Sequence, residues 1–313
     1  MRVMTRARHI GVAAAMAAVV AIAALLAQAC AGELTPTDAP TPDAPAVSAL
    51  LATTDLGVGD NRISFLLVGA DSFISAPEAR VASRIVSVRG SSEDVKEQAN
   101  ATFRLWPLGV RGSYVTSLNF NEPGEWELGV EVVNEDGQVS AARIPLDVKE
   151  TSVTPAVGSE PPMAVNKTLR DVILLSELTS WSTPDPDLYM ETIPEALEKE
   201  RPVLVVFSSP SLCTSPTCGP QVEAVQEVKN RFKGQASFIH VEVYDNPAEI
   251  QGDLSRAVYS PVVEAWGLTE IEDYFNESWV FIMGLDDRVR FKYEGFASAE
   301  ELEEGLLEAL SST

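Results

Sequence analysis

Six consecutive residues, Pro202-Val203-Leu204-Val205-Val206-Phe207, carry no polar side chain, and no other feature constrains the fold as tightly. The run is too short for a buried helix and lacks the alternation of a half-solvated strand. It therefore reads as a strand covered on both faces. A loop holding Cys213 and Cys218 follows it. Gly219-Pro220 suits a helix start, and Val222, Val225, Val228 and Phe232 then recur on one side of a helix running from Pro220 to Phe232.

The same rhythm continues to the C-terminus. Ile193 to Lys199 is a short amphipathic helix, and Ala236 to Tyr244 a second buried strand. Val262 to Trp266 is helical. Trp279 to Met283 and Val289 to Tyr293 form a strand pair turning at Asp286-Asp287, and Ala299 to Leu310 closes the unit as an amphipathic helix. Strands alternating with helices, followed by a hairpin and a last helix, predict an α/β domain over 163–313 with helices on both faces of its sheet.

Residues 47–150 obey a different period. Arg62 to Val68, Tyr114 to Phe120 and Trp126 to Val132 alternate apolar and polar, with turn signals at Glu122-Pro123-Gly124-Glu125 and Asn134-Glu135-Asp136-Gly137 between strands. The second turn predicts a hairpin into a strand ending at Ile144–Val148. Several short strands without a helical pattern predict an all-β sandwich. Its Pro-Gly-x-Trp turn resembles the immunoglobulin-like or fibronectin-like modules of bacterial surface proteins, which implies a spacer or interaction role. A Pro-, Thr- and Ser-containing stretch, 151–162, separates the two units as a linker.

The N-terminus is of another kind. Arg2, Arg6 and Arg8 precede an uncharged run from Ile10 to Ala27, as in a secretory signal. The run ends at Leu26-Ala27-Gln28-Ala29-Cys30, which resembles the processing box of bacterial lipoproteins and implies lipidation of Cys30. The alternative is that the run stays as an uncleaved anchor, since its length just spans a bilayer. Either way residues 1–30 place the chain outside the cytoplasm and tether it to the cell membrane. The stretch 31–46, rich in Pro, Thr and Asp, reads as a disordered tether. Residues 1–29 hold three of the 23 Lys and Arg and none of the 46 Asp and Glu, so the rest is more acidic than the overall charge of −23. Such a surface excludes nucleic acid as a partner.

Lipidation of Cys30 accounts for the odd cysteine and leaves Cys213 and Cys218 as one pair, in a compartment where a pair can stay oxidised. Residues five apart on a helix are separated by about 7.5 Å along its axis, too far for a disulfide. The pair closes only if its segment is not helical, and Pro216 with Gly219-Pro220 favours that.

The order strand, cysteine loop, helix, strand, helix, hairpin, helix is similar to the thioredoxin fold. The resemblance centres on Phe207-Ser-Ser-Pro-Ser-Leu-Cys213-Thr-Ser-Pro-Thr-Cys218-Gly219-Pro220. It implies thiol–disulfide exchange with extracytoplasmic protein thiols or disulfides, Cys213 attacking and Cys218 resolving. Four residues part the cysteines, where thioredoxins have two. The buried acid of that family is replaced near Val206 by an apolar residue, and Ser278 stands where its proline is expected. The spacing also resembles one branch of the peroxiredoxins, whose activating threonine would fall at Pro210. Copper delivery would need a histidine beside the pair, and outside the signal there is only His240. The rival to exchange is a non-enzymatic surface module whose disulfide is structural. No cofactor and no metal is expected in either case.

Overall fold

The computed structural model describes residues 47–70, 72–86, 94–107, 109, 111–133, 137–271 and 278–311. The expected signal segment and tether, Cys30, the turn residues 134–136, and Asn276-Glu277 lie outside the described residues.

Seven strands occupy the first unit: β1 (Ser48–Leu51), β2 (Gly59–Val68), β3 (Glu78–Ile85), β4 (Glu97–Leu105), β5 (Gly112–Phe120), β6 (Gly124–Val133) and β7 (Val139–Val148). All neighbours are antiparallel, in the order β1-β2-β5-β4-β3-β6-β7. Alternate residues turn inward, so that Ile63, Phe65, Tyr114, Phe120, Trp126 and Leu128 share one core. The unit is all-β, as its period requires. The strands group as β1-β2-β5-β4 and β3-β6-β7, the two sets of a seven-stranded sandwich, and the β3–β4 hairpin joins their edges into one continuous sheet. Strands of this length twist, and a wide sheet with a single apolar face coils until its two ends approach. The seam is short: Val58 N–H donates to the Lys149 carbonyl and Lys149 N–H to the Leu56 carbonyl, each at 3.0 Å.

The second unit holds β8 (Val203–Ser208), β9 (Ser237–Glu242), β10 (Trp279–Met283) and β11 (Val289–Glu294), in the order β11-β10-β8-β9. Strands β8 and β9 are parallel, whereas β10 is antiparallel to both β8 and β11. The helices are α1 (Ile193–Leu197), α2 (Cys218–Arg231), α3 (Pro247–Ile250), α4 (Pro261–Ala265) and α5 (Ala299–Ser311). Every residue of β8, β9 and β10 is buried. On one face Leu204, Val206, Val280 and Ile282 pack against Val222, Val225 and Val228 of α2 and Leu302 and Leu306 of α5. On the other, Val205, Phe207, Ile239 and Phe281 meet Ile193, Val263 and Trp266. Two apolar layers are what the unbroken run at 202–207 demands.

The stretch 151–162 is docked between the sheets. Gly158 N–H donates to the Val289 carbonyl at 2.7 Å, and Val289 N–H to the Ser159 carbonyl at 3.0 Å. Asp55, from the first unit, accepts from Val153 N at 2.8 Å, Thr154 N at 2.9 Å and Thr154 Oγ1 at 2.7 Å. Its carboxyl also lies 3.3 Å from Lys292 Nζ on β11. Arg62 grips Glu301 of α5 with Nε at 2.6 Å and Nη2 at 3.0 Å. Polar contacts therefore join the two sheets.

Candidate functional site

Strand β8 ends at Ser208, and the chain then folds back on itself before entering α2. The Ser209 carbonyl accepts from Leu212 N at 3.1 Å and from Cys213 N at 3.0 Å, which curls the loop into a tight turn. Ser215 Oγ and Thr217 Oγ1 lie 2.7 Å apart just before the helix. Cys213 and Cys218 are joined, with their Cα atoms 6.3 Å apart. The closure is possible because residues 213–217 are not helical, as the spacing requires. One difference from expectation concerns the helix start: α2 begins at Cys218 itself, two residues before Pro220. Proline is tolerated throughout a first turn, where amides have no intrahelical partner anyway, so Pro220 marks that turn and not its first residue.

The two sulfurs have unequal surroundings. Cys213 is half-buried in the loop, while Cys218 is fully buried. The Cys218 carbonyl accepts from Ser208 Oγ at 3.0 Å, which fixes the first turn of α2 to the end of β8. Helix N-termini favour negative charge, so a thiolate at position 218 is electrostatically supported.

Beneath the loop lie two buried titratable groups that the sequence reading did not assign to the site. Glu242 is the register partner of Ser208 across the parallel β8–β9 pair. Its carboxyl accepts a short hydrogen bond from Ser209 Oγ, and further bonds from Ser180 N at 2.7 Å and Val243 N at 3.2 Å. Burial pushes this carboxyl up to about 7, against the pull of those donors. Ser180 in turn holds Ser211, whose N–H donates to Ser180 Oγ at 3.1 Å and whose hydroxyl donates to the Ser180 carbonyl at 2.6 Å. The cysteine loop is thus clamped at both Ser209 and Ser211. The available signal was the single acid in Phe238-Ile-His-Val-Glu242-Val, where an apolar run admits a charge only for a reason.

His240 faces the same side of β9. Its Nε2 lies 3.0 Å from the Ser208 carbonyl, which can only accept, so Nε2 carries the proton. Nδ1 then accepts from the Tyr189 hydroxyl at 2.6 Å. Burial lowers the imidazole to about 4. Both ring nitrogens are engaged away from the sulfurs, so the histidine that copper delivery would require is committed elsewhere. A cleft of about 270 Å³ opens onto Tyr189, His240 and Glu242. Ser278, fully buried, immediately precedes β10, whose first residue pairs with Phe207. Its carbonyl accepts from Gly295 N at 2.9 Å.

No family model matches this chain. No curated protein matches it either. Among solved structures, a thiol:disulfide interchange protein of the thioredoxin family from Chlorobium tepidum TLS is 14% identical, covering 49% of this chain and 96% of that one, with a TM-score of 0.32. Murine CRIg is 11% identical over 34% of this chain and 98% of its own, with a TM-score of 0.22. The sulfane dehydrogenase SoxCD from Paracoccus pantotrophus is 16% identical over 30% of this chain and 23% of its own, with a TM-score of 0.20. At such TM-scores these likenesses carry no weight, and the function rests on the residues themselves.

Proposed function

We propose that this chain is a membrane-tethered, extracytoplasmic thiol–disulfide exchange protein of thioredoxin-like architecture, working through Cys213 and Cys218. The observation that carries this reading is the asymmetry of the pair, a half-buried sulfur in a loop joined to a fully buried one at the first residue of a long helix. The element order strand, cysteine loop, helix, strand, helix, hairpin, helix supports the architecture. The β unit is read as an immunoglobulin-like spacer or interaction module.

In the reducing direction a thiolate of a partner protein attacks Cys213 Sγ. The Cys213–Cys218 bond breaks, and its electron pair leaves on Cys218, where the helix N-terminus favours the charge. The partner's second thiol loses its proton and attacks the partner sulfur of the mixed disulfide, which releases Cys213. The partner departs as a disulfide; of the two protons lost from its thiols one comes to rest on Cys213, and the other on Cys218 below the pKa of that thiol or in solvent above it. Glu242, reaching the loop through Ser209, is the proton acceptor that the Val206 position does not supply.

The test is the reduction potential of the pair. A value between about −270 and −120 mV fits exchange, whereas a value below about −300 mV marks a structural bridge and sinks the reading. Cys218→Ser should trap a mixed disulfide through Cys213, and Cys213→Ser should abolish insulin reduction. The rival reading, a surface module with a structural disulfide, is favoured by the Ser180 and Glu242 clamp, which holds the loop as a rigid bridge would.

A further inference from the structure

Gln221 lies one turn beyond Cys218 in α2 and is fully buried. The orientation of its amide is determined. Ala297 N–H can only donate, so the atom 2.7 Å from it is the acceptor Oε1. The other end, Nε2, carries two N–H groups that are sealed from solvent and find no hydrogen-bond partner among the described residues. Buried donors are rarely left in that state, because desolvation is not compensated.

The direction of the side chain narrows what Nε2 serves. Helical side chains lean toward the N-terminus, and residues three apart share a face. The Gln221 head therefore lies over the first turn of α2, where Cys218 and Thr217 share its face, and the Thr217 hydroxyl is already engaged with Ser215 Oγ at 2.7 Å. While the disulfide is closed, the Cys218 sulfur is a weak acceptor. Once opened it is a thiolate, and hydrogen bonds to charged acceptors are the strong ones.

We propose that Gln221 is a positioning residue for the cysteine pair, its Nε2 group idle while the disulfide is closed and donating to the Cys218 thiolate when it opens. This rests on the exchange reading above. The chemistry is the attack at Cys213 with Cys218 as leaving sulfur; Gln221 gives up neither proton nor electron. Its grip on Ala297, in the segment between β11 and α5, keeps the amide aimed while the S–S bond breaks. The donor favours the dithiol over the disulfide and lowers the pKa of Cys218.

The experiment equilibrates the intact protein, wild type and Gln221→Met, with reduced and oxidised glutathione. The equilibrium constant for reduction should fall about tenfold in the variant, equivalent to about 30 mV for a two-electron couple. The Cys218 thiolate, followed by its ultraviolet absorbance, should form at higher pH. Loss of the Ala297 bond alone would lower the urea midpoints of the oxidised and reduced proteins equally and move neither quantity. A second measurement needs no variant: in isotope-labelled wild type, the Gln221 side-chain amide protons should shift downfield on reduction. An amide resonance unmoved by reduction overturns the proposal, as does an equilibrium constant unchanged within about twofold. Failure of the exchange reading would look different, because the wild-type pair itself would then resist glutathione and yield only to dithiothreitol, against which the same comparison is made.

Discussion

The carboxyl of Glu242 and the hydroxyl of Ser209 share a short hydrogen bond that ties the end of β9 to the first residue of the cysteine loop. No Lys or Arg pairs with Glu242 among the described residues, and burial holds its pKa at about 7 against an ordinary 4.5. The folded protein therefore binds this proton more tightly than the unfolded chain. Stability from the group is complete below pH 4.5 and is lost as pH rises through about 7. The loss is on the order of 3 kcal/mol. Urea unfolding across that range should show a shallower decline for Glu242→Gln. Identical slopes in the two proteins would refute the assignment.

His240 produces the opposite slope. Burial depresses its imidazole from 6.5 to about 4, so the unfolded chain binds the proton more readily. This contribution is present above pH 6.5 and is lost as pH falls through about 4. Replacing Tyr189 by Phe strands the Nδ1 acceptor and should cost about 1–3 kcal/mol at neutral pH. Thermal unfolding of Tyr189→Phe, followed by fluorescence, checks the cost, and a midpoint equal to wild type would contradict it.

Between the sheets, Asp55 is pulled in two directions. Burial alone would raise its pKa, but Lys292 and the amides of Thr154 and Val153 outweigh that and leave it lowered. Stability from this carboxyl is present above the unfolded value and disappears as the solution is acidified below it. Asp55→Ala removes the nearer counter-charge from buried Lys292 and should cost about 3 kcal/mol. Asp55→Ala combined with Lys292→Met should recover much of that loss in the same chemical denaturation assay. A double variant no more stable than the single one would show that the ion pair is not the source.

Reduction of the pair carries its own stability change. The cysteines are five positions apart, so the bridge restricts only a small loop of the unfolded chain and should contribute about 2 kcal/mol. Guanidinium unfolding with and without dithiothreitol measures it. A much larger loss would mean that the clamp at Ser209 and Ser211 comes apart when the bond opens.

Most of the second unit was legible from the chain alone. The unbroken apolar run at Val203–Phe207, the pair Trp279–Met283 and Val289–Tyr293, and the amphipathic helix from Ala299 each display a local pattern, and local patterns survive folding unchanged. The period of the β unit made only its strands legible. A period of two tells which way Ile63 and Trp126 point but not which strand lies beside them, so the order β1-β2-β5-β4-β3-β6-β7 was implied only by the resemblance of the Pro-Gly-x-Trp turn to immunoglobulin-like modules. The same limit hid Glu242 and Gln221. Glu242 joins the site because β9 lies beside β8 in one particular register, and Gln221 because the segment at Ala297 comes back onto α2. Both relationships span many residues: a lone acid in an apolar strand marks Glu242 as unusual but not as a neighbour of the cysteine loop, and nothing in the local sequence marks Gln221.

The unequal exposure of Cys213 and Cys218 fixes an order of events. Any reagent arriving from solvent, whether a thiolate or an oxidant, meets Cys213 before the buried Cys218. Two chemically identical side chains become an entrance and an interior. Before any partner is present, the shape of one loop has decided which sulfur is touched first.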